Sequence, residues 1–130
     1  MEAKKMSITA PLTLQPRQEQ SVMNITSMEI GDEENVIHLE ATMGAYGKVY
    51  STIRFRFNAD RSGGTYQGQG RGFIDENTMV AGAGVGIWRR EGSKAYLEEV
   101  VTISDGTQNL HRSTLDMLAK TLVVDAYILT

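Results

Sequence analysis

The chain has 130 residues, a length that suits one domain, and it contains no cysteine, which excludes disulfides and thiolate zinc sites. Its 13 basic and 16 acidic side chains are interspersed and leave a net charge of −3, so the clustered positive field of a nucleic-acid binder is missing and attraction to an anionic membrane surface is weak. No run approaches the about 20 apolar residues of a spanning helix, and Met1 to Ile8 carries charge with no apolar stretch behind it, so the expectation is a cytoplasmic protein with neither signal peptide nor membrane partner.

Residues 1–18 are polar, contain Pro11 and Pro16 and show no period; they read as a flexible arm with an edge strand around Leu12 to Leu14, followed by a single domain over 19–130. Val22 to Ile30 reads as a strand in which neither register is cleanly apolar. Gly31 to Asn35, including Asp32, Glu33 and Glu34, has the chemistry of a solvated turn. In the next strand Ile37, Leu39, Ala41 and Met43 share one side and His38, Glu40 and Thr42 the other. The clearest alternation follows: Val49, Ser51, Ile53, Phe55 and Phe57 against Tyr50, Thr52, Arg54 and Arg56. Asn58 to Gly64 closes it as a turn.

Two glycine-rich strands, Thr65 to Ile74 and Met79 to Arg90, are joined by Asp75 to Thr78. Lys94 to Ser104 sets Ala95, Leu97, Val101 and Ile103 against Lys94, Tyr96, Glu98, Thr102 and Ser104, and Glu99 interrupts the apolar side. Asp105-Gly106 is a hairpin signal. Toward the end, Ser113 with Asp116 resembles a capping box, which predicts a short helical turn near Thr114 to Ala119 and then a terminal strand; one continuous helix over Thr114 to Ile128 is the alternative. Seven or eight short strands at about 10-residue spacing predict an all-β sandwich or barrel, and the glycine pattern described next favours a small antiparallel barrel of about eight strands.

Gly68, Gly70 and Gly72 alternate on one strand of the glycine hairpin and Gly82, Gly84 and Gly86 on the other. A dinucleotide loop would need a helix after its glycines, and Phe73-Ile74-Asp75-Glu76 gives a strand end and a turn instead. With a regular four-residue turn, Phe73 faces Val80 and Gly70 faces Ala83, so that large residues oppose small ones on both faces; a one-residue bulge would spoil that register. Gln67, Gln69 and Arg71 then share a face, either projecting into the barrel to line a ligand pocket or standing on a solvated or subunit-contacting exterior.

Alternation places one of Glu98 and Glu99 inward, where a carboxylate needs a partner such as Arg54, Arg56, Arg71 or Arg89, or else becomes neutral. Asp125 raises the same question. Trp88, Tyr96 and Tyr66 are candidate pocket aromatics or, equally, core packing. His38 and His111 lack metal-ligand spacing and no serine sits in a nucleophile elbow, so no metal or cofactor is expected.

Gly64 to Phe73, the glycine strand through Trp88, and Glu91 to Leu97 together resemble small bacterial β-barrel proteins similar to the allene oxide cyclase and dirigent barrels, over roughly Val49 to Gly106. The resemblance implies an eight-stranded antiparallel barrel, calycin-like in outline, commonly a homo-oligomer, in which an apolar lumen guides cyclisation or coupling of a small molecule. It carries over no catalytic residue. Three readings follow. The first is a small-molecule-binding barrel, with cyclase- or isomerase-like chemistry, whose candidate ligand residues are Gln67, Gln69, Arg71, Trp88, Tyr96 and Glu98. The second is a non-catalytic oligomeric module with a packed interior. The third is a lipocalin-like carrier of an apolar ligand with Arg54 or Arg71 at the base of its lumen.

Overall fold

A computed structural model describes residues 11–130. Eight strands follow one another in chain order and close on themselves: β1 Ser21–Ile30, β2 Glu34–Thr42, β3 Lys48–Arg56, β4 Gly63–Asp75, β5 Thr78–Glu91, β6 Lys94–Ile103, β7 Gln108–Asp116 and β8 Thr121–Ile128. Every neighbour is antiparallel, and β1 pairs with β8 from Ser21↔Val124 to Asn24↔Thr121, so no sheet edge is left open. The sequence-predicted all-β barrel is the fold. Among the described residues, no helix is long and apolar enough to cross a membrane.

The barrel wall follows the alternation of the sequence. Ile37, Leu39 and Ala41 from β2, Met43 just after it, and Ile53 and Phe55 from β3 are buried in the lumen, with Leu97 from β6 and Leu122, Val124 and Ala126 from β8. Burying each large aliphatic or aromatic side chain contributes about 1.5–3 kcal/mol, which makes this inward set the main source of stability. In β1 the register against β2 shifts between Ile25↔Leu39 and Ser27↔His38. This bulge at Thr26 is why β1 shows no clean alternation: Met23 and Ile25 share one phase with the core, and Met28 rejoins the core in the other.

A second bulge sets the glycine hairpin. Asp75 pairs with Thr78 around a loop of only Glu76 and Asn77, and the register shifts between Phe73 and Asp75. Phe73 therefore faces Met79 rather than Val80, and Gly70 faces Gly82 rather than Ala83. The regular pairing expected from sequence is displaced by one residue. As a result Gly68 opposes Gly84 and Gly72 opposes Val80, and glycines meet on one face instead of opposing large residues.

The predicted helical turn near Thr114 to Ala119 is also corrected. β7 runs on to Asp116, whose Oδ1 accepts hydrogen bonds from the Leu118 and Ala119 N–H groups at 3.0 Å and caps a tight turn before β8. Asp116 itself, rather than Ser113, supplies the capping oxygen. The one 3-10 turn among the described residues, Gly44–Tyr46, lies between β2 and β3.

Of the expected arm, residues 1–10 lie outside the described residues. No strand forms at Leu12 to Leu14. Instead the main chain just beyond it lies along β8: Pro16 bridges Tyr127, Ile128 N–H donates to Gln15 O at 2.8 Å, and Arg17 N–H donates to Ala126 O at 2.8 Å.

Candidate functional site

The lumen divides into two halves. At one end Phe55, Tyr66 and Trp88 fill it: the Phe55 ring lies 5.5 Å from Tyr66 and 5.7 Å from Trp88, and Phe57 lies 5.8 Å from Trp88. The two pairs with Trp88 are edge-to-face, an arrangement favourable beyond its buried area, and the Phe55–Tyr66 pair is tilted. The Trp88 indole N–H donates to Arg56 O at 3.0 Å, so the one polar atom of the ring is satisfied. Gly86 makes room for the cluster, because a Cβ there would lie 2.7 Å from the Tyr66 ring.

The other half is hollow. A cavity of about 100 Å³ lies among Met43, Val49, Ser51, Ile53, Leu97 and Val101, and the glycines of β4 and β5 form one of its walls. Because the bulge sets Gly68 against Gly84 and Gly70 against Gly82, that wall has no side chains. The space is partly taken by Glu99, which the absence of Cβ atoms permits: a Cβ on Gly68 would stand 2.6 Å from Glu99 Oε2, and one on Gly84 would overlap the same carboxyl. The glycines therefore do two things, hollowing the lumen and seating an acid in it.

Glu99 and His111 are the titratable groups whose carboxyl and imidazole reach this half. They are direct cross-strand partners on β6 and β7, in a ladder row that runs Phe55, Tyr66, Gly86, Glu99, His111, Ala126. The tilt of barrel strands carries that row from the aromatic end into the hollow end. Burial raises the Glu99 carboxyl from 4.5 to about 7, although the Tyr66 hydroxyl favours its ionised form. Burial lowers the His111 imidazole from 6.5 to about 4. Tyr66 is itself held protonated, by burial first and then by the carboxyls of Glu99 and Glu98. His111 Nε2 is buried and has no hydrogen-bond partner among the described residues. A buried imidazole nitrogen without a partner is costly and marks a place where a polar atom of another molecule fits.

One rim of the hollow half is fixed by a polar chain. Arg17 Nε donates to Asn109 Oδ1 at 2.8 Å, Asn109 Nδ2 donates to Tyr46 Oη at 3.0 Å, and Tyr46 Oη lies 3.0 Å from Thr107 Oγ1. Asn109 is fully buried, so its complete satisfaction explains how an amide is tolerated there. Through this chain the 3-10 turn holds the Tyr46 ring against the cavity.

The residues that the sequence offered as ligand contacts lie elsewhere. Gln67, Gln69 and Arg71 alternate with the inward glycines and stand exposed on the outer face; Gln69 and Arg71 also border the cavity, and the Arg71 guanidinium donates to Gly70 O at 2.8 Å. Of the two readings of that face, the exterior one, solvated or subunit-contacting, is the observed one. Glu98 also points outward, beside Arg112 at 3.8 Å, and Tyr96 is on the same exterior with the Arg89 guanidinium 5.3 Å from its ring. Trp88 does enter the lumen, in the filled half. Arg54 pairs with Glu34 at 3.2 Å on the outside, so neither candidate arginine reaches the lumen base. Asp125 accepts from Gln20 Nε2 at 3.1 Å at the surface.

Glu99 carried a legible signal, the one charge on an otherwise apolar strand face. His111 did not, because its inward neighbours Asn109 and Ser113 are polar too. Among the described residues no three potential metal ligands converge, so Glu99 and His111 would offer two at most. Compared with protein-family models, curated proteins and solved structures, the chain matches none.

Proposed function

We propose that the protein is a small-molecule-binding barrel whose hollow half holds a compact, largely apolar ligand, and that Glu99 gives this lumen isomerase- or cyclase-like chemistry by moving a proton. The observation that carries the reading is the buried, unpartnered His111 Nε2 beside Glu99 at the edge of an apolar cavity of about 100 Å³. A binding cavity of this kind is mostly apolar with a few convergent polar groups. A carboxyl poised near neutral pH both accepts and returns protons efficiently. The proposal agrees with the resemblance to allene oxide cyclase and dirigent barrels, in which confinement and one or two polar groups suffice. The reading as a packed module fits the aromatic half alone, and the reading as a carrier of an acidic lipid loses its arginine.

The outer wall supports two further parts of the reading. It carries Arg54, Arg56, Arg71 and Arg89, which favours water around the barrel and hence a cytoplasmic setting. It also exposes Val85, Ile87 and Val100, adjoining positions on β5 and β6 where copies of the chain would meet in a homo-oligomer.

Ligand-observed NMR with a panel of small apolar compounds tests the binding reading against a blocked lumen. Wild type is expected to bind members of the panel, and Val101→Phe, which puts a ring into the cavity, is expected to bind none while remaining folded. Equal binding by both proteins would remove the lumen from the explanation.

A further inference from the structure

The lumen contains an acid and an imidazole side by side, with no cationic side chain among the described residues engaging them, and this limits what it receives. A carboxylate or phosphate would find no free counter-charge there, since Arg54 and Arg71 are on the exterior and the Arg17 guanidinium at the rim is already taken up by Asn109 Oδ1, Gln108 O and Thr130 O. The volume of about 100 Å³ is below the roughly 150 Å³ known to admit benzene, so the enclosed part of a ligand has only a few non-hydrogen atoms.

We propose that this site takes a small uncharged carbonyl compound with a C–H bond next to its carbonyl, with Glu99 as the base for that proton and His111 as the donor to the carbonyl oxygen. The inference rests on the lumen reading above and names its substrate class. Cross-strand partners have Cβ atoms about 5 Å apart, so the two side chains reach adjacent atoms of one small molecule. Among the described residues His111 Nε2 has no partner, and in the tautomer protonated on Nε2 it presents a buried N–H, from which a hydrogen bond to developing negative charge is strong. Two titratable groups driven in opposite directions by burial divide the labour: the carboxyl ionises near neutral pH and the imidazole remains an uncharged donor.

The step balances within the substrate and Glu99. The C–H bond breaks and its proton passes to a Glu99 oxygen. The electron pair forms a carbon–carbon double bond as the carbonyl π pair moves onto oxygen, and that oxygen accepts the His111 Nε2–H hydrogen bond. Glu99 then either returns that proton to a more distant carbon of a conjugated substrate, which gives isomerisation, or trades it for a solvent deuteron that goes back to the same carbon, which gives exchange; water is the only co-reactant. The groups facing Glu99 are the Tyr66 hydroxyl from β4 and His111 from β7, with glycines of β4 and β5 against its carboxyl. His111 faces Glu99 from β6 and Ala126 from β8.

The test uses butanone in deuterated buffer with two readouts on the same sample: methyl resonances of Met23 and Met43, which line the cavity, for binding, and deuterium incorporation next to the carbonyl for chemistry. Methyl shifts and protein-dependent exchange are expected. Exchange should rise with pH through about 7 and level off as Glu99 ionises. Glu99→Gln should lower it at least about 100-fold with methyl shifts retained. His111→Phe should lower it about 10- to 100-fold without moving the pH midpoint far, since the donor and not the base is lost. Methyl shifts with exchange equal in wild type and Glu99→Gln would overturn the inference and leave the binding reading standing. Absence of methyl shifts with butanone alone would overturn this substrate class, and absence with the whole ligand panel would overturn both.

Discussion

The two halves of the lumen are built from the same strands by the same alternation, and they differ only in what the inward positions carry. Toward one end these are Phe55, Phe57, Tyr66 and Trp88, and the rings fill the space. Toward the other they are glycines of β4 and β5, and the space stays open except for Glu99. A small barrel has room for about one layer of large side chains per level. The filled half is thus the part that stabilises the fold, and the hollow half spends that stability on a desolvated acid and an unpartnered imidazole.

Removing a ring from the filled half should have the largest consequence. Trp88→Ala is expected to lose about 3–5 kcal/mol in denaturant unfolding, through lost burial and the cavity left among Phe55 and Phe57. A loss under about 1 kcal/mol would mean that the two halves do not differ in the way described.

The hollow half makes a pH-dependent contribution with two opposed parts. Glu99 has a folded pKa of about 7, above its unfolded 4.5, so the folded state retains the proton longer and stability falls as pH rises from 4.5 to 7. His111 has a folded pKa of about 4, below its unfolded 6.5, so the unfolded state takes the proton first and stability falls as pH drops from 6.5 to 4. Each effect integrates to about 3 kcal/mol at most, with a slope up to about 1.4 kcal/mol per pH unit. In wild type the two slopes nearly cancel between pH 4.5 and 6.5. Glu99→Gln is expected to become more stable as pH rises through that window, and His111→Gln less stable; unfolding curves at several pH values measure both. Parallel profiles in all three proteins would show that neither group is buried as described.

Gly84→Ala tests the seat of the acid. Its Cβ meets the Glu99 carboxyl, and a loss of about 1–3 kcal/mol is expected. Most of that loss should disappear when Gly84→Ala is combined with Glu99→Ala, giving a coupling in a double-mutant cycle; additive losses would separate the glycine from the acid. The smallest effect is reserved for Arg71→Ala. Its side chain stands outside the wall, so stability within about 0.5 kcal/mol of wild type and unaltered ligand binding are expected, and a loss of binding would return that arginine to the site.

Most of the wall was legible in the sequence, because β2 from Ile37 onward and β3 alternate and their inward sets are apolar apart from Ser51. The failures have local causes. Hydrophobic alternation carries no phase across a bulge, so Thr26 blurred β1 and the shift after Phe73 moved the glycine register by one residue. At the C-terminal end the pattern of Ser113 and Asp116 resembled a helix cap, but Asp116 caps a turn between strands. The site was half legible. Glu99 stood out on the apolar side of β6, whereas His111 sits in an inward row with Asn109 and Ser113, where hydrophobicity gives no orientation. Long polar residues beside the glycines drew the sequence reading outward, to Gln67, Gln69 and Arg71, whereas Glu99 and His111 stand on the inner face of the wall.

The most direct test of this division is the titration of the Glu99 carboxyl by carbon-13 NMR, with the signal assigned by its disappearance in Glu99→Gln. A midpoint near 7 is expected, because burial in the hollow half disfavours the carboxylate. A midpoint at the ordinary value of 4.5 would mean that water reaches the acid freely, and it would contradict the description of Glu99 as a carboxyl buried in this half of the lumen.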